Sequence, residues 1–247
     1  MKTMLVLSMG ALLLAGTLSA QTPVPEWQAG VDKVKTLIQS NPAQASEEAG
    51  ELLKGKNKKN VDLVTSVAHV YLDAGKITEA QEYLAMAKKA NNKDPKVSVL
   101  EGDIALAQKN IGQACQLYEQ AIYFDPNCKE AYLKYAQAYK SASPTQAIEK
   151  LEQLKAVDPN CLEADRELAE VYYSGNRFGK AAEMYAKFID TPLATEDDML
   201  KYAFAVFLNH DFEKSLQVAQ KGLQKNARHA AFNRLVMYNN TDLKRYE

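Results

Sequence analysis

Small residues recur along this chain at a nearly fixed interval, which few folds would produce. Ala80, Ala114, Ala147, Ala181 and Ser215 stand at steps of 34, 33, 34 and 34 residues. Each opens a similar phrase: "AQEYLAMA", "ACQLYEQA", "AIEKLEQL", "AAEMYAKF" and "SLQVAQKG". Four residues later stands a larger residue in most copies, Leu84, Tyr118, Leu151 and Tyr185, with Ala219 the exception. Three further on come Ala87, Ala121, Leu154, Phe188 and Gly222. A spacing of four and then three keeps these positions on one face of a helix. Four copies then reach a proline, Pro95, Pro126, Pro159 or Pro192. Proline has no N–H and its ring clashes with the preceding turn, so a helix is expected to end there. Upstream of each small residue runs a second helical pattern, clearest in "YLKYAQAY" (132–139) and "LAEVY" (168–172). Turn signals separate the two helices around Gly75, Gly112, Gly175 and Asp211 and before Pro144.

Two helices per unit, a period of 34 and this residue order resemble the tetratricopeptide repeat, whose pattern is W-x2-L-G-x2-Y, then A-x3-F, then P. The matching residues are Val67-Ala68, Tyr71, Ala80 and Leu84 in the first unit and Gly102, Ala114, Tyr118 and Pro126 in the second. The third unit gives Tyr132, Tyr135-Ala136, Tyr139, Ala147, Leu151 and Pro159; the fourth gives Leu168-Ala169, Tyr172, Ala181, Tyr185 and Pro192. The fifth, with Tyr202-Ala203 and Ser215, is the loosest and lacks the proline. The resemblance implies an all-α, right-handed superhelical solenoid of antiparallel helix pairs. One pair cannot bury its apolar face alone, and stacked neighbours make a continuous core. Small residues such as Gly102, Ala136 and Ala169 let the helices of a pair approach, while Tyr71, Tyr139 and Tyr172 fill the space between pairs.

The expected organisation has five units, about 61–94, 95–127, 128–161, 162–195 and 196–228. Residues 21–60 read as a divergent helix pair, with Trp27, Val31, Val34 and Ile38 on one face and a break at Asn41-Pro42. The run "KGKNKKN" (54–60) reads as a solvated basic linker in preference to a binding patch. Residues 229–247 begin a further unit, with Leu235 and Tyr238 in its first helix and Tyr246 starting its second. The expectation is a fragment of a longer protein.

The first twenty residues carry one lysine, an apolar run from Met4 to Leu14 and small residues to Ala20. That order is expected of a secretory signal peptide cleaved near Ala20, and the run is too short to span a bilayer. Export would place the chain in an oxidising compartment, where disulfides persist. Cys128 and Cys161 fall in the repeated phrase "DPNC" at equivalent seams. Packed helix axes lie roughly 8–10 Å apart, and a disulfide needs Cα atoms within about 7 Å. These two thiols are expected not to bridge within one molecule.

Signs of catalysis are missing from the sequence. It holds no glycine-rich phosphate loop, C-x2-C, H-E-x-x-H or G-x-S-x-G. His69, His210 and His229 lie in different units without a second ligand at metal spacing. Glu196-Asp197-Asp198 suits a helix start. "NNT" at 239–241 matches a glycosylation acceptor and is set aside with a leader of bacterial character. The net charge of −1 gives no electrostatic case for nucleic acid or an anionic membrane. No catalytic residue, cofactor or metal is expected.

The resemblance implies ligand binding in the concave face, built from the first helix of each unit. By phase that face includes Thr65, His69, Val99, Asp103, Leu133, Gln137, Arg166, Glu170, Tyr173, Leu200, Phe204 and Phe207. Among them only Arg166 is basic, and an Arg166–Glu170 pair along its own helix is expected. The expected function is a non-catalytic interaction scaffold or assembly factor of the bacterial cell envelope, periplasmic or outer-envelope associated, with protein partners. The alternatives are a binding arm for an enzymatic or sensory domain beyond residue 247, and a periplasmic glycan-associated binder.

Overall fold

A computed structural model describes residues 24–244; the leader, its cleavage point and Tyr246 lie outside the described residues. Among the described residues the regular structure is helical. The helices are α1 (Gln28–Ser40), α2 (Pro42–Leu52), α3 (Val61–Asp73), α4 (Ile77–Asn91), α5 (Pro95–Ala107), α6 (Ile111–Phe124) and α7 (Lys129–Tyr139). They continue as α8 (Pro144–Val157), α9 (Leu162–Ser174), α10 (Phe178–Phe188), α11 (Glu196–Leu208), α12 (Phe212–Lys225) and α13 (Ala230–Asp242). Successive helices pair antiparallel: α1 with α2, α3 with α4, and so on to α11 with α12. First helices of adjacent pairs also touch, α1 on α3, α3 on α5, α5 on α7 and α7 on α9, whereas second helices share no comparable contact. The stack therefore curves toward its first helices, and their outer side is the concave face.

The repeated small residues form the contact between helices. Ala80, Ala114, Ala147, Ala181 and Ser215 are completely buried, as are Ala68, Ala169 and Ala203 on the facing helices. Ser215 keeps the pattern by donating its hydroxyl to the Ala203 carbonyl at 2.9 Å. Gly102 and Gly222 are tight points: a Cβ would lie 2.5 Å from the Tyr118 ring at the first and 2.5 Å from the Phe232 ring at the second. Tyr71, Tyr172 and Ala136 are buried, and Tyr139 is half-buried against the edge of the Tyr135 ring.

The prolines divide into two kinds. α6, α8 and α10 end before Pro126, Pro159 and Pro192. Pro95 instead opens α5, because Asp94 caps that helix by accepting the Lys96 N–H and proline suits a first turn whose N–H groups lack partners. The turns within pairs also depart from the sequence signals. Their left-handed residues are Gly75, Lys109, Asn176 and His210. Gly112 lies inside α6, and Gly175 has an ordinary negative φ.

The basic run is solvated, its lysines exposed, but it has a regular structure. Gly55–Lys59 forms a short 3-10 helix packed on α3 and α4, and the Asn57 side chain donates to the Leu52 carbonyl at 2.8 Å. Cys115, Cys128 and Cys161 are free thiols. Burial pushes the Cys115 thiol up to about 11, which leaves it in the unreactive protonated form. Asn239 of the "NNT" phrase is completely buried and donates to Ser215 Oγ and the Leu235 carbonyl, so the folded chain withholds it from a glycosylating enzyme.

Candidate functional site

The concave face has two chemically different halves. Its N-terminal and central part is a ladder of polar bonds between units. His69 Nε2 lies 2.9 Å from Asp103 Oδ2, and His69 Nδ1 lies 2.9 Å from the Thr65 carbonyl. Lys134 Nζ reaches the same Asp103 oxygen at 2.9 Å, while the Tyr118 hydroxyl donates to Asp103 Oδ1 at 2.8 Å. One carboxylate thus gathers groups from three neighbouring helices besides its own. Burial works against its charge, but the bonds from His69, Lys134 and Tyr118 outweigh burial and hold the Asp103 carboxyl below the usual range.

The same figure returns two helix pairs further along. Tyr185 donates to Glu170 Oε1 at 2.6 Å, and Lys201 reaches Glu170 Oε2 at 2.8 Å. Each member of this second set follows its counterpart by 67 residues (103 to 170, 118 to 185, 134 to 201). Burial and the neighbouring carboxylate drive the Tyr118 and Tyr185 hydroxyls far above their ordinary range, so they remain donors. Where Leu84, Leu151 or Ala219 replaces the tyrosine, the acid's position holds His69, Gln137 or Phe204. Acid, tyrosine and lysine thus occur together.

Most sequence-predicted polar groove residues are therefore bonded to the protein itself. Arg166 does not pair with Glu170. Its Nε donates to Asp198 Oδ1 across the unit boundary at 3.1 Å, because Glu170 is already held by Tyr185 and Lys201. Gln137 Nε2 donates to Glu167 at 2.7 Å. Thr65 is buried, with its hydroxyl on the Val61 carbonyl. Lys134 and Lys201 were missed as basic groups of this face. Each stands one residue after a position assigned by phase, Leu133 or Leu200, and reaches back to an acid of the preceding unit.

A cavity of about 350 Å³ opens at the N-terminal end of this ladder, walled by Pro25, Trp27 and Val99 and floored by Thr65, Ser66 and His69, with Asp62, Lys96 and Glu130 at its sides. Among the described residues no cluster of His, Cys, Asp or Glu is arranged to hold a metal ion.

The C-terminal half is aromatic. Tyr173 meets Phe178 edge-on at 5.7 Å between ring centroids. Phe207 packs on Phe212 at 5.4 Å and on Tyr238 at 6.3 Å. Leu200 and Phe204 lie partly buried beside them. Tyr238 remains 44% exposed. Tyr238 was legible as a groove residue, since it follows Phe204 by one period of 34. Apolar side chains left partly uncovered together on a concave surface, rather than scattered, mark an interaction site.

The family profile described as tetratricopeptide repeat matches residues 68–128 and 137–194. This is a tetratricopeptide-repeat protein. No curated protein matches the chain by sequence. Among solved structures, PilW, titled a widely conserved type IV pilus biogenesis factor, is similar with a TM-score of 0.64 at 16% identity over 85% of this chain and 97% of PilW. PilF of Pseudomonas aeruginosa gives 0.62 at 16% identity, over 85% and 96%. YrrB, titled a TPR protein with an unusual peptide-binding site, gives 0.54 at 13% identity, over 78% and 97%. At these identities the likeness is one of fold. Within this tetratricopeptide-repeat protein no described helix is long and apolar enough to cross a membrane.

Proposed function

We propose that this protein is a non-catalytic interaction scaffold that holds a segment of another protein in its concave groove. The observation that carries the reading is the aromatic surface of Phe204, Phe207 and Tyr238, which faces the groove incompletely covered. The polar ladder supplies a preformed wall: its side chains are already fixed, so a partner's arrival orders few of them. Binding would then come from apolar anchors seated on the aromatic half, with the ladder as a polar rim. The reading places the scaffold in a bacterial cell envelope, exported and cleaved near Ala20. Support for the setting comes from the order of the leader and the fold shared with PilW and PilF. Support for peptide capture comes from the same fold in YrrB.

The test is affinity capture of the tagged protein from its own envelope, beside a Phe204→Ala/Phe207→Ala variant whose circular dichroism is unchanged. A reproducible partner retained by the parent and lost at least ten-fold by the variant is expected. Equal recovery by both would remove the aromatic surface from the binding site.

A further inference from the structure

The Gly55–Lys59 turn carries more than a connection. It presents Lys56, Lys58 and Lys59, all exposed, on a backbone fixed by the Asn57 bond to Leu52. Antiparallel packing brings the C-terminal end of α4 beside the start of α3, where this turn sits, adding exposed Lys89 and Lys93. Neighbouring lysines are neutralised locally: Lys54 pairs with Glu51 and Lys88 with Glu101. No ion pair is made by the other five. A chain of net charge −1 thus concentrates five uncompensated positive charges on one edge.

We propose that this lysine edge adsorbs to a surface of anionic phospholipid headgroups. The edge has no arginine fork for bidentate phosphate recognition and no aromatic platform for stacking bases. Exposed ammonium groups without a groove read charge density, which a headgroup plane supplies. Each lysine near such a plane contributes roughly five-fold to partitioning. The edge lies in the first helix pairs, and the aromatic half of the groove lies in the last. The protein can therefore rest on a membrane and hold a partner at its far end. The adsorption does not depend on the groove reading.

The test is co-sedimentation of the purified protein with phosphatidylglycerol-containing vesicles and with pure phosphatidylcholine vesicles. The variants are Lys56→Gln/Lys58→Gln/Lys59→Gln and Lys89→Gln/Lys93→Gln, whose side chains are exposed. The parent is expected to bind the anionic vesicles only, and the triple variant to bind roughly a hundred-fold more weakly. Salt at about 1 M should release the parent, since screening then acts within about 3 Å. No binding to the anionic vesicles, equal binding to the neutral ones, or parental binding by both variants would overturn the proposal. Lysine-dependent binding to polyglutamate or duplex DNA without vesicle binding would also overturn it, assigning the edge to an acidic protein or a nucleic acid.

Discussion

Asp103 shows how a single residue joins repeats. It accepts from His69 of the preceding unit, Lys134 of the following unit and Tyr118 of its own. Asp103→Ala would leave Tyr118 with a buried, unpaired hydroxyl, and should lower stability by about 3 kcal/mol in urea unfolding. The Asp103 carboxyl is held below its ordinary value, so its stabilisation is complete above about pH 4 and fades as pH falls through the folded-state value. The stability gap between parent and Asp103→Ala should therefore shrink on acidification, and a gap constant with pH would contradict this account. The neighbouring glycine gives a second contrast. Gly102→Ala pushes a methyl into the Tyr118 ring and should cost about 1–3 kcal/mol, whereas Gly112→Ala meets open space within a helix and should be neutral or stabilising by up to about 1 kcal/mol. The small residue at 102 was legible because packing imposes the period. The role of Asp103 was not, because periodicity places a side chain on a face without telling whether the next unit supplies its partner.

At the scale of elements, capping joins one helix to another. Thr195 and Asp198 form a reciprocal capping box at the start of α11, and Asp198 also accepts from Arg166 of the unit before. Thr195→Ala should cost about 1 kcal/mol, an ordinary cap. Asp198→Ala should cost more, about 2–4 kcal/mol, since it also strips Arg166 of its partner. A double-mutant cycle with Arg166→Ala should show coupling of at least about 0.5 kcal/mol, and additivity would show that the pair contributes nothing. The acidic helix start was readable from Glu196-Asp197-Asp198, because a helix N-terminus favours negative charge. The turn at 54–60 was only partly readable: its lysines are solvated as the sequence suggests, but the regular turn comes from tertiary packing on α3 and α4. The left-handed positions of the inner turns escaped for a related reason. Lys109 and His210 adopt a conformation that favours glycine, and each lies one period from a sequence signal that names the site openly, Gly75 or Asn176.

For the whole molecule, a stack of helix pairs curved toward its first helices gives two ends with different chemistry. The polar ladder fixes the units against one another, and the aromatic half leaves side chains uncovered. The solenoid was legible from five small residues, since stacked helix pairs need one at each close approach and so repeat it at that interval. The division of the groove was not, because a polar residue bonded across units and one left for a ligand look alike in sequence. The central claim is that a partner lies against the aromatic concave surface. A photo-crosslinking amino acid placed at Tyr238, on the groove, and separately at Tyr123, 83% exposed on the second helix of its pair, tests it in the living host. The account predicts a discrete crosslinked protein from position 238 and none from position 123. Crosslinks from 123 alone, or the same crosslinks from both, would contradict it.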